Sequence, residues 1–145
     1  MQDTLPIHFA PLQGYTEAIY RNAHDAFFGG VDTYYTPFVR LEKGNFRRRD
    51  VRGIEPENNG VTHLIPQLIA SSAEKAEVIL SLFIEKGYQE VDINLGCPFP
   101  LLAKRHNGSG ILPYPEEVKA LLSIVTRYPQ ISFSVKMRLG WEQPD

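Results

Sequence analysis

Val91-Asp92-Ile93-Asn94-Leu95-Gly96-Cys97-Pro98 is the stretch on which the reading of this chain turns. Val91, Ile93 and Leu95 form a short apolar run that begins just after Gly87 stops a helical pattern, which reads as a buried β-strand. Asn94, Gly96, Cys97 and Pro98 then turn the chain out of the sheet, so the only cysteine of the protein sits on a loop directly after a strand. A lone cysteine is most often a small core hydrophobe. Flanked by Gly and Pro, this one has little side-chain packing around it, and a reactive or proton-donating thiol competes with the core reading.

Outward from that strand the pattern repeats. Toward the N-terminus, Leu64 to Ile69 reads as a strand, and Ser71-Ser72-Ala73-Glu74 matches a capping box for a helix whose Ala76, Ile79, Leu80, Phe83 and Ile84 share one face. Leu5 to Ala10 is a first strand, ended by Pro11 and the turn residues Gln13-Gly14, after which Thr16 caps a helix running to about Phe28. Gly29-Gly30 stops that helix, and Thr33 to Val39 is a second β-rich segment. A polar insertion occupies residues 40 to 62. Toward the C-terminus a helix starts with Pro115 in its first turn, continues through Val118, Leu121, Leu122 and Val125, and halts before Pro129. Ile131 to Met137 is a fifth strand.

Strands recurring about every 30 residues with helices between most of them give the rhythm of right-handed βαβ crossovers and a parallel sheet. An open doubly wound sheet and a closed barrel both have this rhythm. The dinucleotide-binding version of the open sheet places Gly-x-Gly-x-x-Gly after its first strand, and Ala10-Pro11-Leu12-Gln13-Gly14 is a different turn. That version of the open sheet therefore loses weight against the other α/β alternative, the TIM (β/α)8 barrel, whose eight units occupy about 250 residues. If the fold is a barrel, four βα units and a fifth strand use all 145 residues, and residues 1–145 would form its first half. Such a half leaves two sheet edges and apolar barrel-lining side chains uncovered, which predicts self-association.

One cysteine allows no internal disulfide and no multi-cysteine metal site, and it favours a reducing compartment, by default the cytoplasm. A charged start with a signal-peptide core is absent, and no apolar run approaches the roughly 18 residues needed to cross a bilayer. Neither a membrane nor a metal is expected. The net charge of −2 excludes the global basic excess of many nucleic-acid binders. A polyanion must be met locally, and Arg40, Lys43, Arg47, Arg48, Arg49 and Arg52 gather in the insertion, diluted by Glu42 and Asp50. An ordinary solvated loop explains that run equally well.

Polar residues cluster at the C-terminal ends of the expected strands: Gln13, Gln67, Asn94, Cys97, Lys136 and Arg138. Singly, Gln67 reads as a partner for a neighbouring backbone group and Lys136 as a snorkelling surface amine. Together they converge on one rim of a barrel, where α/β barrels keep their chemistry. Lys136, after Ser134-Val135 in an apolar strand, is expected to be partly buried, and a buried ammonium needs an anion or an electron-rich ring system such as a flavin.

Three segments, Ala10-Pro11-Leu12-Gln13-Gly14-Tyr15-Thr16, Asp92-Ile93-Asn94-Leu95-Gly96-Cys97-Pro98 and Val135-Lys136-Met137-Arg138-Leu139-Gly140-Trp141, resemble in order and spacing the successive signatures of the tRNA-dihydrouridine synthases. That resemblance implies an FMN-dependent enzyme, a TIM barrel followed by a helical tRNA-binding domain, that reduces uridine in tRNA with NADPH or NADH. By the same resemblance Ala10, Pro11, Leu12 and Gln13 lie along the flavin, Gln67 and Lys136 hydrogen-bond its pyrimidine-like edge, and Asn94 and Arg138 approach the substrate base. Hydride from flavin N5 adds at C6 of uracil, and Cys97 is the matching acid that delivers a proton to C5. A thiol of ordinary pKa, near ~8.5, is mostly protonated at neutral pH yet able to release its proton.

The Cys loop departs from the commonest family pattern, in which a Lys follows Cys-Pro closely and leads to Gly-x-Gly. Here Phe99-Pro100-Leu101-Leu102 intervene, and Lys104 and Arg105, ahead of Gly108 and Gly110, are the candidates for that substrate-contacting role. His106 reads as a phosphate or substrate contact, or as an exposed loop residue. The second half of the barrel and the helical domain are not in the 145 residues, so the chain alone is expected to be inactive and to bind FMN weakly. Another FMN barrel oxidoreductase acting on a free pyrimidine or an enone, and a non-catalytic RNA-binding or assembly fragment, are the competing readings.

Overall fold

A computed structural model describes residues 5–142; the outermost positions of the expected 1–145 unit lie outside it. Five strand positions follow one another in parallel: β1 (His8–Phe9), β2 (Thr33–Tyr35), the pair β5 (Leu64–Ile65) and β6 (Gln67–Leu68), β7 (Glu90–Leu95) and β8 (Ser132–Met137). They form two three-stranded sheets, β1-β2-β5 and β6-β7-β8, each strand adding beside its predecessor. Pro66 separates β5 from β6 because proline has no N–H to give the ladder. The sheets remain stitched across it. Thr36 N–H donates to Ile65 O, Val39 N–H to Gln67 O, and Asp92 N–H to Pro66 O at 3.0 Å.

The strand quoted first is buried along nearly its whole length, and its two faces differ. Val91, Ile93 and Leu95 join the main core with Ala76, Ile79, Leu80 and Phe83 of α3 (Ala73–Glu85), and with Leu121 and Ile124. The alternate residues Asp92 and Asn94 point to the opposite, polar face, as the two-residue period of a strand requires. That alternation gives β7 one apolar face for packing and one polar face.

Several expected boundaries shift, each for a local reason. Thr16 does not cap the first helix; α1 spans Ala18–Phe27 after Glu17, and the Thr16 hydroxyl closes its own turn, accepting the Leu12 N–H at 2.8 Å and donating to Leu12 O at 3.2 Å. Ser72, not Ser71, caps α3, accepting from Lys75 N–H. The helix expected from Pro115 to Val125 breaks into α5 (Pro115–Leu122) and α6 (Ile124–Arg127), where the Ser123 hydroxyl donates to Ala120 O at 2.7 Å and competes with the helical ladder.

The polar insertion at residues 40–62 is folded. A hairpin pairs β3 (Leu41–Glu42) with β4 (Asn45–Phe46), and its turn residues Lys43 and Gly44 both have positive φ, 51° and 79°, as a two-residue turn matched to strand twist requires. Helix α2 (Arg48–Ile54) follows and sends Ile54 into the core. A clamp from α1 holds the segment. Arg21 is fully buried, donating from Nη1 to Thr16 O at 2.6 Å and from Nη2 to Gly53 O at 2.9 Å and Asn59 Oδ1 at 2.5 Å. Burial lowers its pKa to about 10, with Glu17 acting against that shift, so the guanidinium stays charged near neutrality.

Apolar side chains also face outward. Ile19, Phe27 and Phe28 at α1 are 85%, 84% and 81% exposed, and Leu139 beyond β8 is 80% exposed. Among the described residues β1 and β8 each pair on one side only. No helix among these residues is long and apolar enough to cross a membrane, and no group of three or more His, Cys, Asp or Glu is arranged to hold a metal.

Candidate active site

Register places the polar side chains next to one another. Gln67 pairs with Asp92, Asp92 with Ser134, and Asn94 with Lys136 across β6, β7 and β8. A continuous hydrogen-bonded relay follows. Ser134 Oγ donates to Asp92 Oδ1 at 2.7 Å, Gln67 Nε2 donates to Asp92 Oδ2 at 2.6 Å, and Asn94 Nδ2 donates to Gln67 Oε1 at 2.9 Å. Asn94 Oδ1 accepts the N–H groups of Gly96 at 3.1 Å and Cys97 at 2.9 Å. The relay therefore fixes the orientation of both amides and ends on the backbone of the cysteine.

The other side of Cys97 is held as firmly. Its carbonyl accepts both the N–H and the hydroxyl of Ser109, each at 3.0 Å. Gly108, at φ 60°, lies so close that an added Cβ would come 2.6 Å from the Cys97 carbonyl oxygen and 2.9 Å from its Cβ. Only glycine fits there. The loop between them folds into α4 (Pro100–Ala103) and a 3-10 turn at Gly108–Ile111. His106 braces it at φ 54°, stacked on Tyr114 with centroids 4.0 Å apart and hydrogen-bonded through Nδ1 to Glu117 Oε2 at 2.7 Å.

A cavity of about 470 Å³ opens at the C-terminal ends of the strands, within the range usual for small-molecule sites. Among the expected residues it gathers Pro11, Leu12, Gln13, Gln67, Asn94, Cys97, Lys136 and Arg138. Ala10 lines the adjoining cavity with His8, Tyr35 and Asp92. Lys104 and Arg105 lie elsewhere: Lys104 borders a cleft with Trp141, and Arg105 lines a separate cavity. The inserted turn of α4 carries them away from the thiol. Lys136 is exposed rather than partly buried, because β8 has no neighbour on its outer side among the described residues.

Three groups in this machinery were not singled out by sequence: Asp92, Ser109 and Ser134. The signal for Asp92 was a charged residue inside an apolar strand. Burial pushes its pKa up, while hydrogen bonds from Gln67 and Ser134 and the charge of Lys136 pull it down. Because the folded value lies above the unfolded one, the fold binds this proton more tightly. Stability from this group therefore falls as pH rises from the unfolded carboxyl value through the raised one. Asp92→Asn retains an acceptor for Gln67, and the Ser134 hydroxyl can rotate to accept. The variant is expected to lose that decline, so urea unfolding at stepped pH should show its stability relative to the parent rising with pH; a constant difference contradicts the assignment.

The fold and site together define an α/β unit that displays a loop thiol and convergent polar groups at the carboxyl ends of parallel strands. More narrowly, the chain belongs to the dihydrouridine synthase family, whose model, "Dihydrouridine synthase (Dus)", matches residues 8–145. It is 29% identical over 139 residues, 92% of this chain and 37% of the relative, to "Probable tRNA-dihydrouridine synthase 1" of Synechocystis sp.. It is 23% identical over 137 residues, 94% of the chain and 41% of the relative, to "tRNA-dihydrouridine synthase B" of Pasteurella multocida. A shorter match, 33% over 76 residues, covers 52% of the chain and 24% of "tRNA-dihydrouridine synthase B" of Klebsiella pneumoniae. The chain thus spans about two fifths of the length of the relatives it matches end to end.

Proposed function

We propose that this chain forms the first part of a TIM barrel, four βα units and a fifth strand, in an FMN-dependent enzyme that reduces uridine in tRNA to 5,6-dihydrouridine. One observation carries the reading: a single cavity joins Cys97, whose backbone is pinned on both sides, to an amide with nothing to bind. Both ends of the Gln13 side chain are buried without a partner. Buried polar groups are ordinarily satisfied, and an unpaired amide at a cavity wall fits the heteroatom edge of a ring ligand. Lys136, with no carboxylate in ion-pair contact among the described residues, supplies a cation on the same wall.

The Pro11–Gln13 turn, Gln67 and Lys136 would hold the flavin, which when bound would supply the hydride for C6 of the uracil ring. The protein supplies the rest. Cys97 delivers a proton to C5, its direction set by the two amide bonds to Asn94 and the two bonds from Ser109 to its carbonyl. Arg138 is anchored by Nε to Gly96 O at 2.8 Å, which leaves its terminal nitrogens for the base. A uridine must leave its stack to reach this cavity, at a cost of a few kcal/mol that contacts to the RNA backbone offset. NADPH or NADH is the reductant in this reading, and tRNA the partner.

In the full-length protein, flavin titration should give a stoichiometric complex that Gln13→Ala and Lys136→Ala each weaken by roughly tenfold, the loss of one or two hydrogen bonds. The isolated 145-residue chain should bind flavin weakly and reduce nothing, since α1 and both sheet edges stand uncovered. Unchanged flavin affinity in both variants overturns this placement of the cofactor.

A further inference from the structure

A second cavity lies on the same rim. It measures about 330 Å³ and is built by three separate stretches of chain: the β3–β4 hairpin, the start of α3 and the loop that follows Cys97. Its floor is apolar, with Ile69, Ile79 and Leu102, and its walls carry Arg40, Lys43, Lys75 and Arg105. Glu42 is the one carboxylate among the residues lining it, held loosely at 3.6 Å from Arg40 and 3.9 Å from Arg47. Lys43, Lys75 and Arg105 have no carboxylate in ion-pair contact among the described residues; Lys75 donates only to the Ser71 hydroxyl at 2.8 Å. The Nε of Arg40 is buried with no partner.

Four cations converging on an apolar hollow repel one another, and three of them meet no carboxylate. An anion is the group that relieves both conditions. Gly44, at φ 79° in the hairpin turn, also brings backbone without a side chain to the cavity mouth.

The wall between this cavity and that of Cys97 is a single apolar layer. Phe38, Ile69 and Leu102 pack as one small cluster, and Cys97 packs against it from the other side. Phe38 faces the thiol cavity, and Ile69 and Leu102 face the basic one. We propose that this second cavity is a phosphate subsite for RNA: it grips the sugar-phosphate backbone of nucleotides flanking the uridine presented to Cys97. The inference rests on the uridine-reductase reading for the identity of the anion, and it gives Arg105 a role outside the chemical site. A phosphodiester chain suits an open hollow whose cations come from separate segments along a rim, because each cation meets a different phosphate.

The test is salt-dependent binding. Unmodified tRNA is titrated onto the full-length protein carrying Lys75→Gln and Arg105→Gln together, over a series of KCl concentrations, with Lys43→Gln as an independent second variant at the hairpin tip. Each phosphate contact contributes roughly 0.7–0.9 to the slope of log K against log salt. The double variant should reduce that slope by about 1.5 and Lys43→Gln by about 0.8, with thermal melting unchanged. An unchanged slope in both overturns the subsite. Uridine monophosphate is the second probe: loss of its binding with an unchanged tRNA slope makes the cavity a small-phosphate site and also overturns the proposal. Binding needs no turnover, so the two readings fail separately. A reduced slope without dihydrouridine formation removes the uridine-reductase reading alone, and an intact slope with dihydrouridine formation removes the subsite alone.

Discussion

Alanine in place of Cys97 is expected to slow uridine reduction by about 10²- to 10⁴-fold, the range over which a positioned acid accelerates proton transfer. The structure makes this substitution clean. Every bond that fixes the loop at this position uses the backbone: Asn94 accepts the amides of Gly96 and Cys97, and Ser109 donates twice to the Cys97 carbonyl. Alanine retains all of them and adds no atom that Gly108 must accommodate. Beyond the sulfur's packing against Phe38, Ile69 and Leu102, only the proposed proton donor is lost. Dihydrouridine formed in tRNA under multiple turnover by the full-length protein reads the effect, and flavin affinity should match that of the parent. Equal rates for the two proteins would remove Cys97 from the chemistry.

The second large effect is on stability. Arg21→Met is expected to destabilise the fold by roughly 2 kcal/mol or more, because it takes the guanidinium from three acceptors: Gly53 O keeps only the Asn59 Nδ2 donor at 3.2 Å, and the other two lose this donor at about 1–3 kcal/mol each when buried and unpaired. Two of them, Gly53 O and Asn59 Oδ1, belong to the insertion, and the third, Thr16 O, to the turn before α1. Methionine fills comparable space without donors, so the loss reports the hydrogen bonds rather than a cavity. Urea unfolding of the parent and variant measures it. A difference under about 1 kcal/mol, within the range of a single ordinary hydrogen bond, would mean that Arg21 is not the clamp.

Both effects mark where sequence was informative and where it was silent. Cys97, Gln67, Asn94 and Lys136 were legible because a strand followed by a turn fixes which residues stand at its C-terminal end, and parallel register then brings those ends together. The α3 face was legible from its 3.6-residue period: Ala76, Ile79, Leu80 and Phe83 are buried as the period selected, while Ile84 is exposed and Ala73, outside the selected set, is buried. Arg21 was not legible. An arginine on an amphipathic helix reads as solvated, and its burial depends on acceptors 32 and 38 residues away. The same limit applied to residues 40–62, legible only as a polar insertion, where Ile54 and the Lys43-Gly44 turn hold a hairpin and a helix. Asp92 shows an intermediate case: its place in the strand was plain, but its partners Gln67 and Ser134 come from two neighbouring strands. Lys104 and Arg105 moved away from the thiol because Pro100–Ala103 coils into a helical turn that periodicity over four residues cannot reveal.

The exposed apolar face of α1 and the two one-sided strands give a physical reason to study the site in the full-length protein. The most direct measurement is nucleoside mass spectrometry of tRNA lacking dihydrouridine, after incubation with the full-length flavin-loaded protein and NADPH or NADH, beside parallel reactions with free uridine and a simple enone. Uridine in the tRNA should gain two hydrogens while the small substrates remain unchanged. Turnover of the free pyrimidine or the enone, with the tRNA left unmodified, would contradict the assignment.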